Sequence, residues 1–109
     1  MKMSNMDFEK NLLISEFYDY YKNLLTEKQR QYFELYFFEN YSLQEIAEEI
    51  GVSKSAIHDS ISKTISYLKD LEEKLKFVNK TKYIKNEIEK FKKEKISKDD
   101  FIESIEKEI

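Results

Sequence analysis

Cysteine and proline are absent from the chain, and glycine and histidine occur once each. Without cysteine there is no disulfide framework, no thiolate nucleophile and no cysteine-based zinc site, and the single His58 cannot assemble a metal cluster alone. With only Gly51 and no proline, the turn residues that hairpins and irregular loops require are nearly lacking. No run approaches the roughly 18 apolar residues a membrane span needs, and the N-terminus, which carries Lys2, lacks the apolar stretch of a signal peptide. The expected compartment is therefore the cytoplasm. No glycine-rich phosphate loop is present, and Glu48 and Glu49 point in different directions on a helix, as a solvated face rather than a catalytic pair. The chain is not expected to be an enzyme, and no cofactor is expected.

What remains is material for helices: 40% hydrophobic and 38% charged residues in a chain of 109, the size of one ordinary domain. The net charge is −3, but it is unevenly spread: residues 1–50 carry −5, residues 74–98 carry +7 and residues 99–109 carry −4. Arg30 is the only arginine. Phosphate or base contacts elsewhere must come from lysine, which lacks the planar fork that reads guanine bidentately.

Apolar residues recur at steps of three and four along nearly the whole chain. A first helix over about Asp7 to Tyr21 is predicted from Leu13, Phe17, Tyr20, Tyr21 and Leu24. Thr26, followed by Glu27 and Gln29, caps a second helix carrying Tyr32, Phe33, Leu35, Tyr36, Phe37 and Phe38, apolar on so many sides that it should be the central buried helix. Ser42 with Glu45 has the spacing of a capping box and starts a third, whose inner face is Leu43, Ile46, Ala47 and Ile50. Gly51 ends it where a left-handed residue is needed. Ser53 caps a long fourth helix with the stripe Ile57, Ile61, Ile65, Leu68, Leu71, Leu75 and Val78. An interruption is expected at residues 79–82, then a helix bearing Ile84, Ile88 and Phe91 that ends near Lys95. Ser97 caps a last short helix with Phe101, Ile102, Ile105 and Ile109.

The stretch from Ser42 to Ile61 carries the functional signal: a short helix, the turn Gly51-Val52-Ser53, then a helix that begins with small polar residues. Ala47 lets the two helices cross closely, while Ile46, Val52 and Ile57 fill the wedge between them. The outward positions are then Ser53, Lys54, Ser55, His58, Asp59 and Ser62, with Lys63 beside them. In a helix-turn-helix these residues enter the major groove of DNA, the helix N-terminus and its hydroxyls lying near phosphates. Lys54 and His58 are the leading base-edge or phosphate contacts. Between Ser42 and Ile65 the net charge is −2, so duplex affinity should be modest and salt-sensitive.

The run LTEKQRQYFELYFFENYSLQEIAEEIGVSKSAIHDSISKTISYL, Leu25 to Leu68, resembles the promoter-reading region 4 of sigma-70-type factors. Within that superfamily the chain is most similar to the YlxM family of small bacterial proteins, through LLTEKQR, then YSLQEIAE, then GVS followed by a branched residue and Asp. It departs from the family pattern at Lys54 (often arginine), at His58 (often tyrosine) and after Asp59, where Ser60 and Ser62 replace more basic residues. The resemblance implies an all-α, sigma-70 region 4-like helix-turn-helix bundle with a long helical C-terminal extension, and DNA binding. It also implies an accessory role in the signal recognition particle pathway, with that particle's GTPase or RNA as partner. A full sigma factor is not implied, since there is no room for the separate domain that melts promoters.

Residues 1–76 are expected to form the helix-turn-helix domain and 77–109 the extension, packed on the same unit or on a dimer partner. The lysines between 74 and 98 suit phosphate tracking, although Glu87, Glu89, Glu94 and the acids of 99–109 could neutralise them. The long stripe of the fourth helix offers a seam for a homodimer, which would present two reading heads together.

Overall fold

A computed structural model describes residues 5–109, with side chains from Asn11 onward. Lys2 and the first four residues of the expected 1–76 domain lie outside the described residues. The described chain is all-helical, without a strand: α1 (Asn5–Tyr21), a single 3-10 turn (Lys22–Leu24), α2 (Glu27–Phe37), α3 (Leu43–Ile50), α4 (Lys54–Leu75), α5 (Phe77–Lys92) and α6 (Lys98–Glu106). Two compact units meet at the bond between Leu75 and Lys76.

In the first unit, α4 packs against α1, α2 and α3. Tyr32 from α2, Ile46 and Ala47 from α3, and Ile57 and Ile61 from α4 form a buried cluster, with Leu35, Tyr36, Phe37, Tyr41, Leu43, Ile50 and Ile65 packed around it. A fully buried isoleucine contributes about 1.5–3 kcal/mol relative to an exposed one, so Ile46 and Ile57, both 0% exposed, fix how α3 and α4 cross. Thr64 is buried on α4, and its hydroxyl is satisfied by donating to the Ser60 carbonyl at 3.0 Å.

Above this cluster lies an aromatic stack. Phe33 is sandwiched by Tyr18 and Phe37, with ring centroids 4.3 and 4.4 Å away, and Phe38 meets both Tyr18 and Phe33 edge-on. The central helix is α4, which meets the other three, rather than α2: on α2 only Tyr32 and Phe33 are buried, Leu35, Tyr36 and Phe37 are half-buried and Phe38 is half exposed, because its aromatics stack on one another as well as on the core. The aromatics of α1 also carry polar clasps. The Tyr18 hydroxyl donates to Glu34, and burial, followed by the neighbouring Glu34 carboxylate, pushes that phenol well above its ordinary range. The Tyr21 hydroxyl donates to Glu72 Oε1 at 2.6 Å, tying α1 to α4.

Those clasps correct the expected phase of α1. The buried residues are Ile14, Phe17, Tyr18 and Tyr21, followed by Leu25, whereas Leu13, Tyr20 and Leu24 are exposed. Both sets have helical spacing. The tyrosines decide between them, because only the observed phase gives Tyr18 and Tyr21 an aromatic body to bury and a carboxylate for the hydroxyl.

The sequence places the helix ends well where a side chain does the capping. Thr26 and Gln29 form a reciprocal capping box, as do Ser42 and Glu45; Ser53 accepts from the Ala56 amide, and Ser97 from the Asp100 amide. The Ser42 amide and hydroxyl, bonded to the Glu45 carboxylate, hold that group below its ordinary value. Gly51 has φ 86°, and the Val52 amide reaches back to the Ala47 carbonyl at 3.1 Å, closing α3 in a Schellman-type turn.

The expected interruption at residues 79–82 is not there. The break falls at Lys76, which takes φ 58° and ψ 27° with no side-chain cap, so α4 stops before Val78 and residues 79–82 lie inside α5. A lysine in the left-handed region costs about 1–2 kcal/mol and carries no local signature. Asn79 and Thr81 are only mildly poor helix formers, and the ladder that starts with Lys80 N–H on the Lys76 carbonyl takes them in. α5 also ends before Lys95: Glu94 turns left-handed (φ 57°), and the Lys95 amide bonds the Lys90 carbonyl.

Of the stripe on α4 that the sequence offers partly as core and partly as a dimer seam, Ile57, Ile61 and Leu68 are buried, Ile65 and Leu71 are half-buried and Leu75 is exposed. In the second unit, α6 packs on α5, with Phe91 stacked on Phe101 at 4.9 Å.

Two substitutions test the caps that set the α3–α4 corner. A Cβ at Gly51 would meet nothing within 4 Å, so Gly51→Ala should cost only the left-handed backbone penalty, about 1–2 kcal/mol in urea unfolding, with Gly51→Asn costing less. Ser42→Ala should cost about 1 kcal/mol by the same measurement. An unchanged midpoint in either variant would show that the cap is not under strain or not in use.

Candidate nucleic-acid interface

The corner at Gly51 determines what α4 presents. Ile57 and Ile61, one turn apart, point into the cluster with Ile46 and Ala47, and the opposite side of the first three turns is left to solvent. Ser53, Lys54 and Ser55 stand at the start of the helix, His58 and Asp59 one turn on, and Ser62 and Lys63 a turn further. All seven are exposed. Lys54 to Lys63 spans about 14 Å of helix axis at 1.5 Å per residue, comparable with the ~12 Å width of a major groove.

The N-terminal turn has the means to hold an anion. Ser53 Oγ accepts from the Ala56 amide at 3.1 Å and the Ser53 carbonyl from the Ile57 amide at 3.3 Å. Among the described residues, the Lys54 and Ser55 amides have no such partner. As first-turn amides they lie at the positive end of the helix dipole. One turn on, His58 Nδ1 lies 3.7 Å from Asp59 Oδ1, with both side chains well exposed. That pairing draws on charge only when the imidazole is protonated, and it competes with any contact His58 makes to an acceptor.

Two further residues extend this surface. Ser66 and Lys69 lie four and seven positions beyond Ser62, on the same exposed side of α4. On α3, Gln44 Nε2 donates to Glu48 Oε1 at 3.0 Å along an exposed face. Ser66 and Lys69 could have been found from helical spacing alone.

The surface carries hydroxyls, an imidazole and the cations Lys54 and Lys63. Among the described residues, no group of three or more His, Cys, Asp or Glu could hold a metal ion. No helix of the described chain is long and apolar enough to cross a membrane.

Comparison with known proteins agrees with this geometry. Residues 8–108 match the family UPF0122, described as "Putative helix-turn-helix protein, YlxM / p13 like". A UPF0122 protein of Mycoplasma capricolum is 46% identical over 109 residues, covering all of this chain and 96% of its own. One from Streptococcus gordonii is 40% identical over 98 residues, covering 90% and 88% of the two chains, and one from Halalkalibacterium halodurans is 46% identical over 72 residues, 66% of each. A helix-turn-helix corner with an exposed second helix, and relatives aligned along nearly the whole length, make this chain a member of the UPF0122 family of YlxM-like helix-turn-helix proteins.

Proposed function

We propose that the chain is a cytoplasmic regulatory protein that binds duplex DNA through the N-terminal turns of α4 and acts by binding rather than by catalysis. The observation that carries this reading is the division of α4. Its inner side, at Ile57 and Ile61, is fully committed to the core, while Ser53, Lys54, Ser55, His58, Asp59, Ser62 and Lys63 take no part in packing. In this reading Lys54 and Lys63 neutralise phosphates, Ser53 and Ser55 place the helix N-terminus on the backbone, and His58 reaches a base edge. Asp59 and the acids of α3 work against the phosphates, so affinity is modest and falls steeply with salt.

The second reading implied by the family resemblance, an accessory of the signal recognition particle binding its GTPase or RNA, would rank the ligands differently. Titration of labelled random-sequence duplex, the particle's RNA and its GTPase, followed by fluorescence anisotropy at two salt concentrations, separates the two. Duplex binding that weakens about tenfold or more in the Lys54→Ala/His58→Ala variant supports the DNA reading, at about 1–3 kcal/mol for a good base-edge pair. Binding of the GTPase or RNA alone, or an unaltered duplex affinity in the variant, removes it.

A two-fold assembly, placing two heads on successive half-sites, belongs to the same proposal. Ile57, Ile61 and Leu68 of the α4 stripe are buried in the chain's own core and are not available to it. Sedimentation equilibrium of the full chain should give twice the 13.3 kDa chain mass, and a species at the chain mass alone would discard the dimer while leaving the reading head intact.

A further inference from the structure

The second unit segregates its charge in a way that the helix-turn-helix head does not account for. α6 packs on one side of α5, through Phe91 and Phe101. On another side, Lys82, Lys85, Lys92 and Lys93 recur at helical spacing and are all exposed. At 100° per residue these four fall within about a third of the helix circumference, turned away from Phe91. The acids that the sequence offers as neutralisers are partly taken up within α5 itself. Glu87 is buried and binds Lys90 Nζ at 3.1 Å, and Glu89 lies 3.8 Å from Lys93 Nζ. Lys85 and Lys92, two turns apart, have no ion-pair partner among the described residues. The stripe from Lys82 to Lys93 is about 16 Å long at 1.5 Å per residue.

We infer that this lysine face of α5 is a second nucleic-acid contact, a sequence-independent grip on the phosphate backbone of a double helix that supplements the head. The inference deepens the DNA-binding reading and rests on it for the choice of ligand. Lysine is suited to this role: a compact, hydrated point charge on a long stem neutralises phosphates wherever they fall and does not require the fixed fork geometry of base readout. The head is short of such charge, with Lys54 and Lys63 opposed by Glu45, Glu48, Glu49 and Asp59 between Ser42 and Ile65. Counterion release at α5 would supply the affinity that the head lacks, while the head supplies placement.

The test is the salt dependence of binding by the full chain and by the variant Lys82→Gln/Lys85→Gln/Lys92→Gln. Glutamine keeps the helix propensity of lysine, and unchanged circular dichroism verifies the fold. Three phosphate contacts correspond to a slope difference of about 2.7 in log affinity against log salt. Between about 50 and about 200 mM salt the wild-type chain should therefore lose roughly 40-fold more duplex affinity than the variant. An equal slope in the two proteins overturns the inference. The Lys54→Ala/His58→Ala variant is run beside them: loss of affinity there with equal slopes for the other pair sinks the α5 contact and leaves the head reading standing. If wild-type protein binds no DNA duplex, the head reading fails and an RNA duplex decides the α5 face. RNA binding that the triple-glutamine variant loses supports the phosphate grip, and no binding to either duplex overturns it.

Discussion

The packing of Ile57 against Ile46 and Ala47, across the left-handed corner at Gly51, is the constraint on which the rest of the head depends. A helix has one apolar side, and burying that side fixes where the remainder points. Because Ile57 and Ile61 are drawn into the cluster with Tyr32, the polar start of α4 can only face outward. Gly51 makes this possible by ending α3 in a tight left-handed turn, and its φ of 86° is one that a residue with a side chain adopts at a cost.

The aromatic stack secures that corner from behind. Phe33 lies between Tyr18 and Phe37, so α1 and α2 are held as one layer, and Tyr21 reaches Glu72 to join that layer to α4. Stacking supplies apolar burial with a preferred ring geometry, while the two hydroxyl–carboxylate bonds supply direction. Together they hold α4 along several turns, which keeps its exposed first turns in a fixed orientation. A reading surface on a rigid helix loses little entropy on docking.

The parts of the fold legible in the sequence were those determined locally. Thr26, Ser42, Ser53 and Ser97 each cap a helix through their own side chains, and Gly51, the one glycine of the sequence, marks the corner because it takes the left-handed conformation at least cost. The outward side of α4 was legible for the same reason, since the alternation of isoleucines with polar residues states which side is inside. What could not be read depended on distant partners. Two helical stripes compete on α1, and the choice rests on Phe33, Glu34 and Glu72, far along the chain. The left-handed Lys76 and Glu94 are residues held in a costly conformation by their surroundings, which local propensity does not foresee. The long stripe on α4 looked like a seam for a second copy because a sequence does not say whether a stripe will be covered from within.

The division of charge follows the division of the chain. The first unit is net acidic, whereas α5 is basic on one exposed face. The most direct test of the central claim is NMR of the uniformly ¹⁵N-labelled chain titrated with duplex DNA, reading backbone amide shifts residue by residue. The account predicts that the amides of residues 53–63 shift together while those of Ile46 and Ala47, behind the corner, stay close to their free positions. Perturbations concentrated on α1 or α2, with residues 53–63 unmoved, would contradict it.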